Sequence, residues 1–239
     1  QTPLSVDRRY SGRGNPELTE LGRAQADAAA ARLAADTSIT TIVSSPLARA
    51  QATAQAVAAR RGLDVEVIDG FTETDFGAWE GLTFGEAAHR DPQVHRRWLG
   101  DATLPAPGGE SFADVEVRVT ASKDDLLQRF PGQTVLVVSH VTPIKTLLRT
   151  ALGGGEQILF RLHLDLASIS IAEFYPDGGS VVRVGNSYCL TPGDNVTLTL
   201  AQLDLSTILA QLNGAARADG GSGDSSATPS AAANCARWF

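Results

Sequence analysis

Hydrophobic and polar positions in the first half of the chain alternate between a helical and a strand-like pattern. The alanine-rich stretch Thr19–Ala35 begins with a residue type that caps helix N-termini, and a helix is predicted there. The short β-branched run Ile39–Val43 indicates a buried strand. Pro46 suits the first turn of the next helix, which the pattern extends through Arg60. A second strand is predicted at Asp64–Ile68.

The second half continues the same alternation. Thr134–Val138 is apolar on both faces, as an interior strand of a parallel sheet should be. The other predicted elements are helices at Phe84–Leu99, Phe112–Phe130 and Thr142–Leu152, and an antiparallel hairpin formed by Ala167–Tyr175 and Ser180–Tyr188. Repeated strand–helix units of this kind predict an α/β protein, a three-layer α/β/α sandwich with a mainly parallel sheet.

The sequence changes character after about Asn186, and residues 1–188 are predicted to form one domain. Residues 189–217 are an extension without an assigned role, in which Asn195–Leu200 is a possible strand and Asp204–Arg217 a possible amphipathic helix. Residues 218–239 are rich in Gly, Ser and Ala, and we expect a disordered tail there.

Composition narrows the class of protein and its partners. The 239 residues are 43% apolar and 20% charged, which is ordinary for a globular domain of this size. The net charge of −7 argues against nucleic acid or an anionic membrane as a partner of this domain. Two cysteines, Cys189 and Cys235, are too few for a disulfide framework, and no apolar run reaches bilayer length, so a cytoplasmic location is expected. Methionine is absent, which favours a fragment or a processed product.

Three segments that follow or adjoin predicted strands carry candidate chemistry. Arg49 lies one turn into the helix after Ser44-Ser45-Pro46, where helix N-terminal amides and a planar guanidinium can bind a phosphoryl group. His140 directly follows the strand Thr134–Val138 and should project into the ligand crevice at the carboxyl edge of the sheet. The third segment, Glu73-Thr74-Asp75-Phe76-Gly77-Ala78-Trp79-Glu80-Gly81, follows the strand Asp64–Ile68 by a short loop.

These segments, together with Gln1-Thr2-Pro3-Leu4-Ser5, Arg9-Tyr10-Ser11-Gly12 and Leu18-Thr19-Glu20-Leu21-Gly22, resemble the histidine phosphatase, or phosphoglycerate mutase-like, superfamily. The resemblance covers roughly residues 1–188 and implies a phosphomonoesterase that works through a phosphohistidine. It implies that Glu73 is the general acid and that His140 holds the transferring phosphoryl group. Arg49, Ser5 and the loop residues Ser11 and Gly12 would bind the phosphate. The resemblance implies no cofactor, and no metal is implied because no His, Asp or Glu cluster has ligand spacing.

The nucleophilic histidine of this family belongs to an Arg-His-Gly triplet that directly precedes the Gln-Thr step. By the resemblance, the triplet and its buried strand would lie upstream of Gln1, and the printed chain would be a poor catalyst. Asp75 and Glu80 are interpreted as exposed loop carboxylates, and His89, His95 and His163 as structural residues. Pro107-Gly108-Gly109-Glu110-Ser111 matches a family segment and equally suits a plain turn with a helix cap.

The sequence by itself leaves three hypotheses for the function. Val141-Thr142-Pro143 after His140 resembles the acid phosphatase branch that includes α-ribazole phosphatases, with a small phosphorylated metabolite as substrate. Phosphoglycerate mutase-type transfer is an alternative, although no dense basic cluster follows Trp79. A non-catalytic phosphate-binding module is another. Relatives of the actinobacterial type can carry an upstream ribonuclease H domain, and a chain that begins within a domain is compatible with such a parent protein.

Overall fold

The computed structural model describes residues 1–183 and, as backbone, residues 196–203. Within these residues the strands form one sheet in the order β2-β1-β3-β6-β4-β5. The strands are β1 (Ile39–Ser44), β2 (Val65–Val67), β3 (Thr134–Val138), β4 (Leu166–Phe174), β5 (Ser180–Arg183) and β6 (Val196–Leu203). The pairs β2–β1, β1–β3 and β3–β6 are parallel, while β6–β4 and β4–β5 are antiparallel. The predicted α/β class with a mainly parallel sheet is confirmed.

The helices connect these strands and cover the sheet. They are α1 (Pro3–Val6), α2 (Glu20–Ala34), α3 (Ala48–Arg61), α4 (Phe84–Arg90), α5 (Pro92–Trp98), α6 (Phe112–Arg129), α7 (Val141–Ala151) and α8 (Gln157–Arg161). Thr19 caps α2 through its side chain, which accepts a hydrogen bond from the amide of Gly22, as the sequence predicts.

The central strand β3 shows why the fold has three layers. Val135 and Val137 pack into a core with α6 and α7, whereas Leu136 and Val138 pack into a second core with α2 and α3. All four side chains are buried, because successive residues of a strand point to opposite faces and both faces are covered by helices.

Two local predictions are wrong. Pro46 does not lie in the first turn of α3, since the helix begins at Ala48 with Leu47 as its N-cap. The amide of Ser45 donates to the carbonyl of Val138, so the chain keeps to the sheet for one residue beyond β1 before it turns. The helical pattern Phe84–Leu99 is two helices rather than one, because Asp91 leaves the helical conformation in front of Pro92.

The structure describes only part of the predicted hairpin and of the C-terminal segment. Strands β4 and β5 confirm the hairpin up to Arg183, and residues 184–188 lie outside the described residues. The strand considered at Asn195–Leu200 is present as β6, between β3 and β4. The helix predicted at Asp204–Arg217 and the tail 218–239 also lie outside the described residues. In the described part of the chain, no helix is long and apolar enough to cross a membrane.

Candidate active site

A cleft of about 230 Å³ lies at the carboxyl edge of the parallel strands. Parallel strands β1 and β3 end side by side at Ser44 and Val138, which brings the segments after them together. Five of the predicted site residues line this cleft: Ser5, Ser11, Arg49, Glu73 and His140. The sixth, Gly12, lies in the adjoining loop, where its carbonyl accepts a hydrogen bond from Arg49.

The loop from Ser11 to Gly14 is held between a cation and an anion. The Arg49 guanidinium donates to the carbonyls of Ser11, Gly12 and Gly14 at 2.8–3.1 Å. On the other side, the Glu80 carboxylate accepts from the amides of Gly12 and Gly14 at 2.9–3.1 Å. Glu80 is thus half-buried against the loop, and its interpretation as an exposed carboxylate is wrong. The same interpretation is wrong for Asp75, which is also half-buried and accepts from the amide of Gly77 at 2.8 Å.

Two further features of this loop suit an oxyanion. The Ser11 hydroxyl is buried and has no hydrogen-bond partner among the described residues, although the cleft lies beside it. Burial lowers the pKa of Arg49, while Glu73 and Glu80 act to raise it. A dianion in the cleft would satisfy the hydroxyl and would place negative charge beside a desolvated guanidinium.

Replacing Gly12 with Ala is expected to destabilise the protein by about 1–3 kcal/mol, because the added methyl would overpack the loop. A Cβ at Gly12 would lie 2.1 Å from the carbonyl oxygen of Thr74, which is backbone and cannot move aside cheaply. Gly85→Ala in α4 is the matched control, since a Cβ there meets nothing within 4 Å. Urea unfolding of both variants measures the difference, and equal stability of the two would contradict the close packing described for this loop.

His140 is the N-cap of α7 and is buried at the base of the cleft. Its Nε2 lies 2.7 Å from the Oγ of Ser45, a buried residue that follows β1. Burial lowers the pKa of His140 well below its ordinary value, and the charges of Arg49, Arg118 and Arg13 lower it further. The imidazole is therefore neutral at physiological pH and can donate one N–H to a phosphoryl oxygen.

Because His140 is held neutral in the fold, acidification should destabilise the protein below about pH 6.5, where the unfolded chain takes up a proton and the folded chain does not. The loss is up to about 1.4 kcal/mol per pH unit for each such histidine. The pKa of His95 is also lowered by burial, so it adds to the slope. Urea unfolding between about pH 7.5 and about pH 5.5 tests this, and His140→Gln should reduce the slope without abolishing it. An unchanged slope in that variant would contradict the assignment.

Glu73 is buried beside the N-terminus of α7. Its Oε1 accepts from the amide of Thr74 at 2.7 Å, and its Oε2 lies 3.4 Å from the amide nitrogen of Thr142. Lys145, one turn further along α7, donates to the carbonyl of Leu159. Burial lowers the pKa of Lys145, whereas the nearby charge of Glu73 acts to raise it. The Glu73 carboxyl thus lines the cleft while its two oxygens are oriented by the backbone.

The other three histidines lie away from the cleft. His95 is buried in an aromatic cluster, 2.9 Å from the hydroxyl of Tyr10, which confirms its structural interpretation. The His89 side chain is exposed on α4. His163 is also exposed, with 82% of its side chain accessible, and its Nε2 lies 3.1 Å from Asp165. Neither His89 nor His163 lines the cleft, and neither is packed in a core. His140 is the one histidine of the printed sequence that lines the cleft.

Four residues that shape this site are not among the predicted site residues: Ser45, Glu80, Glu110 and Arg118. Ser45 stands within the Ser44-Ser45-Pro46 motif, and its place at a strand end was the available signal. Glu110 follows Gly108-Gly109, a segment that the sequence could not distinguish from a plain turn. Arg118 lies within α6 and carries no motif, so only the contacts of the folded chain identify it.

Comparison with known proteins identifies the family to which the chain is similar. Residues 1–187 match the family model described as the histidine phosphatase superfamily (branch 1). The bifunctional protein Rv2228c of Mycobacterium tuberculosis is 61% identical over 186 residues, which are 78% of this chain and 51% of that protein. Phosphoserine phosphatase 1 of Hydrogenobacter thermophilus is 34% identical over 164 residues, 68% of this chain and 77% of that protein. The chain thus spans about half the length of the mycobacterial relative.

Solved structures resemble the fold closely. The mycobacterial glucosyl-3-phosphoglycerate phosphatase Rv2419c, in complex with VO3, aligns with a TM-score of 0.71 and 30% identity, over 79% of this chain and 95% of that chain. The alpha-ribazole phosphatase from Shigella flexneri aligns with a TM-score of 0.66 and 27% identity, over 78% of this chain and 92% of that chain.

Proposed function

The chain belongs to branch 1 of the histidine phosphatase superfamily, and we propose that it forms the phosphatase part of an enzyme that hydrolyses small phosphate monoesters. The observation that carries this proposal is the cleft in which Arg49, Glu73 and His140 meet. A permanent cation and a neutral imidazole can stabilise the charge on phosphoryl oxygens, and a buried carboxyl group can protonate a leaving oxygen.

The proposed reaction has two steps and uses a histidine supplied by a segment that precedes Gln1 in the full-length protein. In the first step a nitrogen–phosphorus bond forms as the ester phosphorus–oxygen bond breaks, and Glu73 gives its proton to the leaving oxygen. In the second step a phosphorus–oxygen bond forms to water as the nitrogen–phosphorus bond breaks, and Glu73 takes up one proton of that water, which frees the histidine and inorganic phosphate. Arg49 and His140 stabilise the charge on the phosphoryl oxygens in both steps.

The cleft supports a small substrate. Its volume of about 230 Å³ is below the range of about 300–1,000 Å³ typical of sites for drug-sized ligands. The names of the relatives point to different compounds: phosphoserine, a glucosyl-phosphoglycerate and α-ribazole phosphate. The proposal is therefore confined to what these compounds share, which is a phosphate monoester on a small metabolite, with α-ribazole phosphate as one candidate.

A phosphate-binding module without turnover is the second candidate function, and it is favoured by one observation. His140 is the one histidine of the printed chain at the cleft, and it is itself bonded to Ser45. Such a module would bind phosphate through Arg49 and the Ser11–Gly14 loop and release no product.

The test is hydrolysis of phenyl phosphate by the full-length protein in buffer that contains a chelator. Turnover that survives the chelator supports the phosphatase. Activity that the chelator abolishes would contradict the mechanism, because none of its steps uses a metal. Phosphate binding without any turnover would favour the second candidate.

A further inference from the structure

Glu110 forms hydrogen bonds with three segments around the cleft. Its carboxylate accepts from the amide of Asp75 at 2.9 Å and from Arg13 at 3.2 Å. It also receives two hydrogen bonds from Arg118, at 3.0 and 3.1 Å. Burial acts to raise the pKa of Glu110, but the hydrogen bonds from Arg118 and Asp75 lower it overall, so the carboxylate is charged. One side chain thus links the Ser11–Gly14 loop, the segment after Glu73 and helix α6.

Arg118 holds the backbone on the other side of Glu73. Beyond its two bonds to Glu110, it donates to the carbonyls of Gly70 at 2.9 Å, Thr72 at 2.6 Å and Glu73 at 3.1 Å. These bonds occupy all five N–H donors of the guanidinium, so none is left for a substrate. An effect of Arg118 on the reaction would therefore pass through the residues that it holds, not through a contact with the phosphate.

The backbone around this pair is closely packed. A Cβ at Gly109 would lie 2.2 Å from the carbonyl oxygen of Asp75, and a Cβ at Gly77 would lie 2.4 Å from that of Pro107. Gly77 also has a φ of +50°, which side-chain-bearing residues rarely adopt. The segment after Glu73 and the turn before α6 thus pack backbone against backbone. A displacement of Glu110 would therefore also displace the backbone at Glu73.

We propose that Glu110 and Arg118 are a positioning pair that fixes the Glu73 carboxyl for proton transfer to the leaving group. The inference rests on the proposed phosphatase function. Proton transfer requires the heavy atoms to lie about 2.6–3.2 Å apart. The pair holds Thr72 and Glu73 by their carbonyls and Asp75 by its amide, so it sets the backbone from which the carboxyl extends.

The test compares two substrates of the full-length enzyme that differ in their need for an acid. Phenol leaves poorly without a proton, whereas dinitrophenol leaves as the anion. We expect Arg118→Lys to lower kcat/KM for phenyl phosphate by about 100-fold, the effect of a displacement of about 1 Å. For dinitrophenyl phosphate the loss should stay within about threefold, because no proton is transferred to that leaving group. Lysine keeps the charge but cannot reproduce the five-donor fork.

Three further variants separate positioning from general damage. Glu110→Gln keeps the size of the side chain and should show the same substrate-selective loss. Arg129→Lys is the matched control, since Arg129 lies on the same helix and pairs with Glu66 and Asp125 away from the cleft. In a Glu73→Gln background, Arg118→Lys should cause no further selective loss, because the acid is already gone.

The possible outcomes distinguish a failure of the positioning role from a failure of the proposed phosphatase function. Equal losses on both substrates, in either Arg118→Lys or Glu110→Gln, would overturn the positioning role alone. A selective loss that adds fully to that of Glu73→Gln would also overturn it. Absence of turnover by the unaltered full-length protein would overturn the proposed function and this inference with it.

Discussion

The 239-residue chain, produced by itself, is expected to hydrolyse phenyl phosphate about a million-fold more slowly than the full-length protein, which is the scale of losing a catalytic nucleophile. The reason is the position of the histidines. The proposed mechanism uses one histidine as nucleophile and a second one that holds the phosphate, and of the four histidines in the sequence His140 alone lines the cleft.

The measurement is steady-state turnover of both proteins, prepared identically and checked for cooperative unfolding, so that a misfolded chain is not mistaken for an inactive one. Acid-labile phosphoenzyme should be trapped from the full-length protein and not from the short chain. Turnover by the short chain near ~10 per second, an ordinary enzymatic rate, would show that a different nucleophile operates and would overturn the proposed mechanism.

Glu73→Gln in the full-length protein is expected to lower kcat/KM for phenyl phosphate by about 100- to 10,000-fold, the usual contribution of a general acid. Glutamine has the same shape and can still accept from the amide of Thr74, as the carboxylate does at 2.7 Å. Phosphate binding should therefore change little. The missing proton affects the leaving oxygen, not the groups that bind the phosphoryl oxygens.

Arg49→Ala provides the contrasting variant. Its guanidinium lines the cleft and also holds three carbonyls of the Ser11–Gly14 loop, so its loss should weaken phosphate binding as well as turnover. Calorimetric titration with inorganic phosphate, alongside the kinetics, measures both effects. A Glu73→Gln enzyme with unchanged turnover, or one that loses phosphate binding as much as Arg49→Ala does, would contradict the assignment of Glu73 as the acid.

The sequence by itself determined the class of fold and the principal side chains of the cleft. Strand β3 is apolar on both faces, which requires helices above and below it, and this sets the three layers. Arg49 and His140 follow the ends of parallel strands, and such ends share one edge of a sheet. For these residues a local pattern was enough, because the regular geometry of the sheet converts position along the chain into position in space.

Only the tertiary structure decided how those side chains are held. Ser45 and His140 are 95 residues apart, and Glu80 and Gly12 are 68 apart. The pair Glu110 and Arg118 reaches back to Gly70 and Glu73 across loops that have no periodic pattern. Hydrogen bonds between distant loops depend on where the packed helices place each backbone group. A carboxylate or guanidinium has the same local signature whether it faces water or a buried carbonyl, and the folded chain alone distinguishes the two.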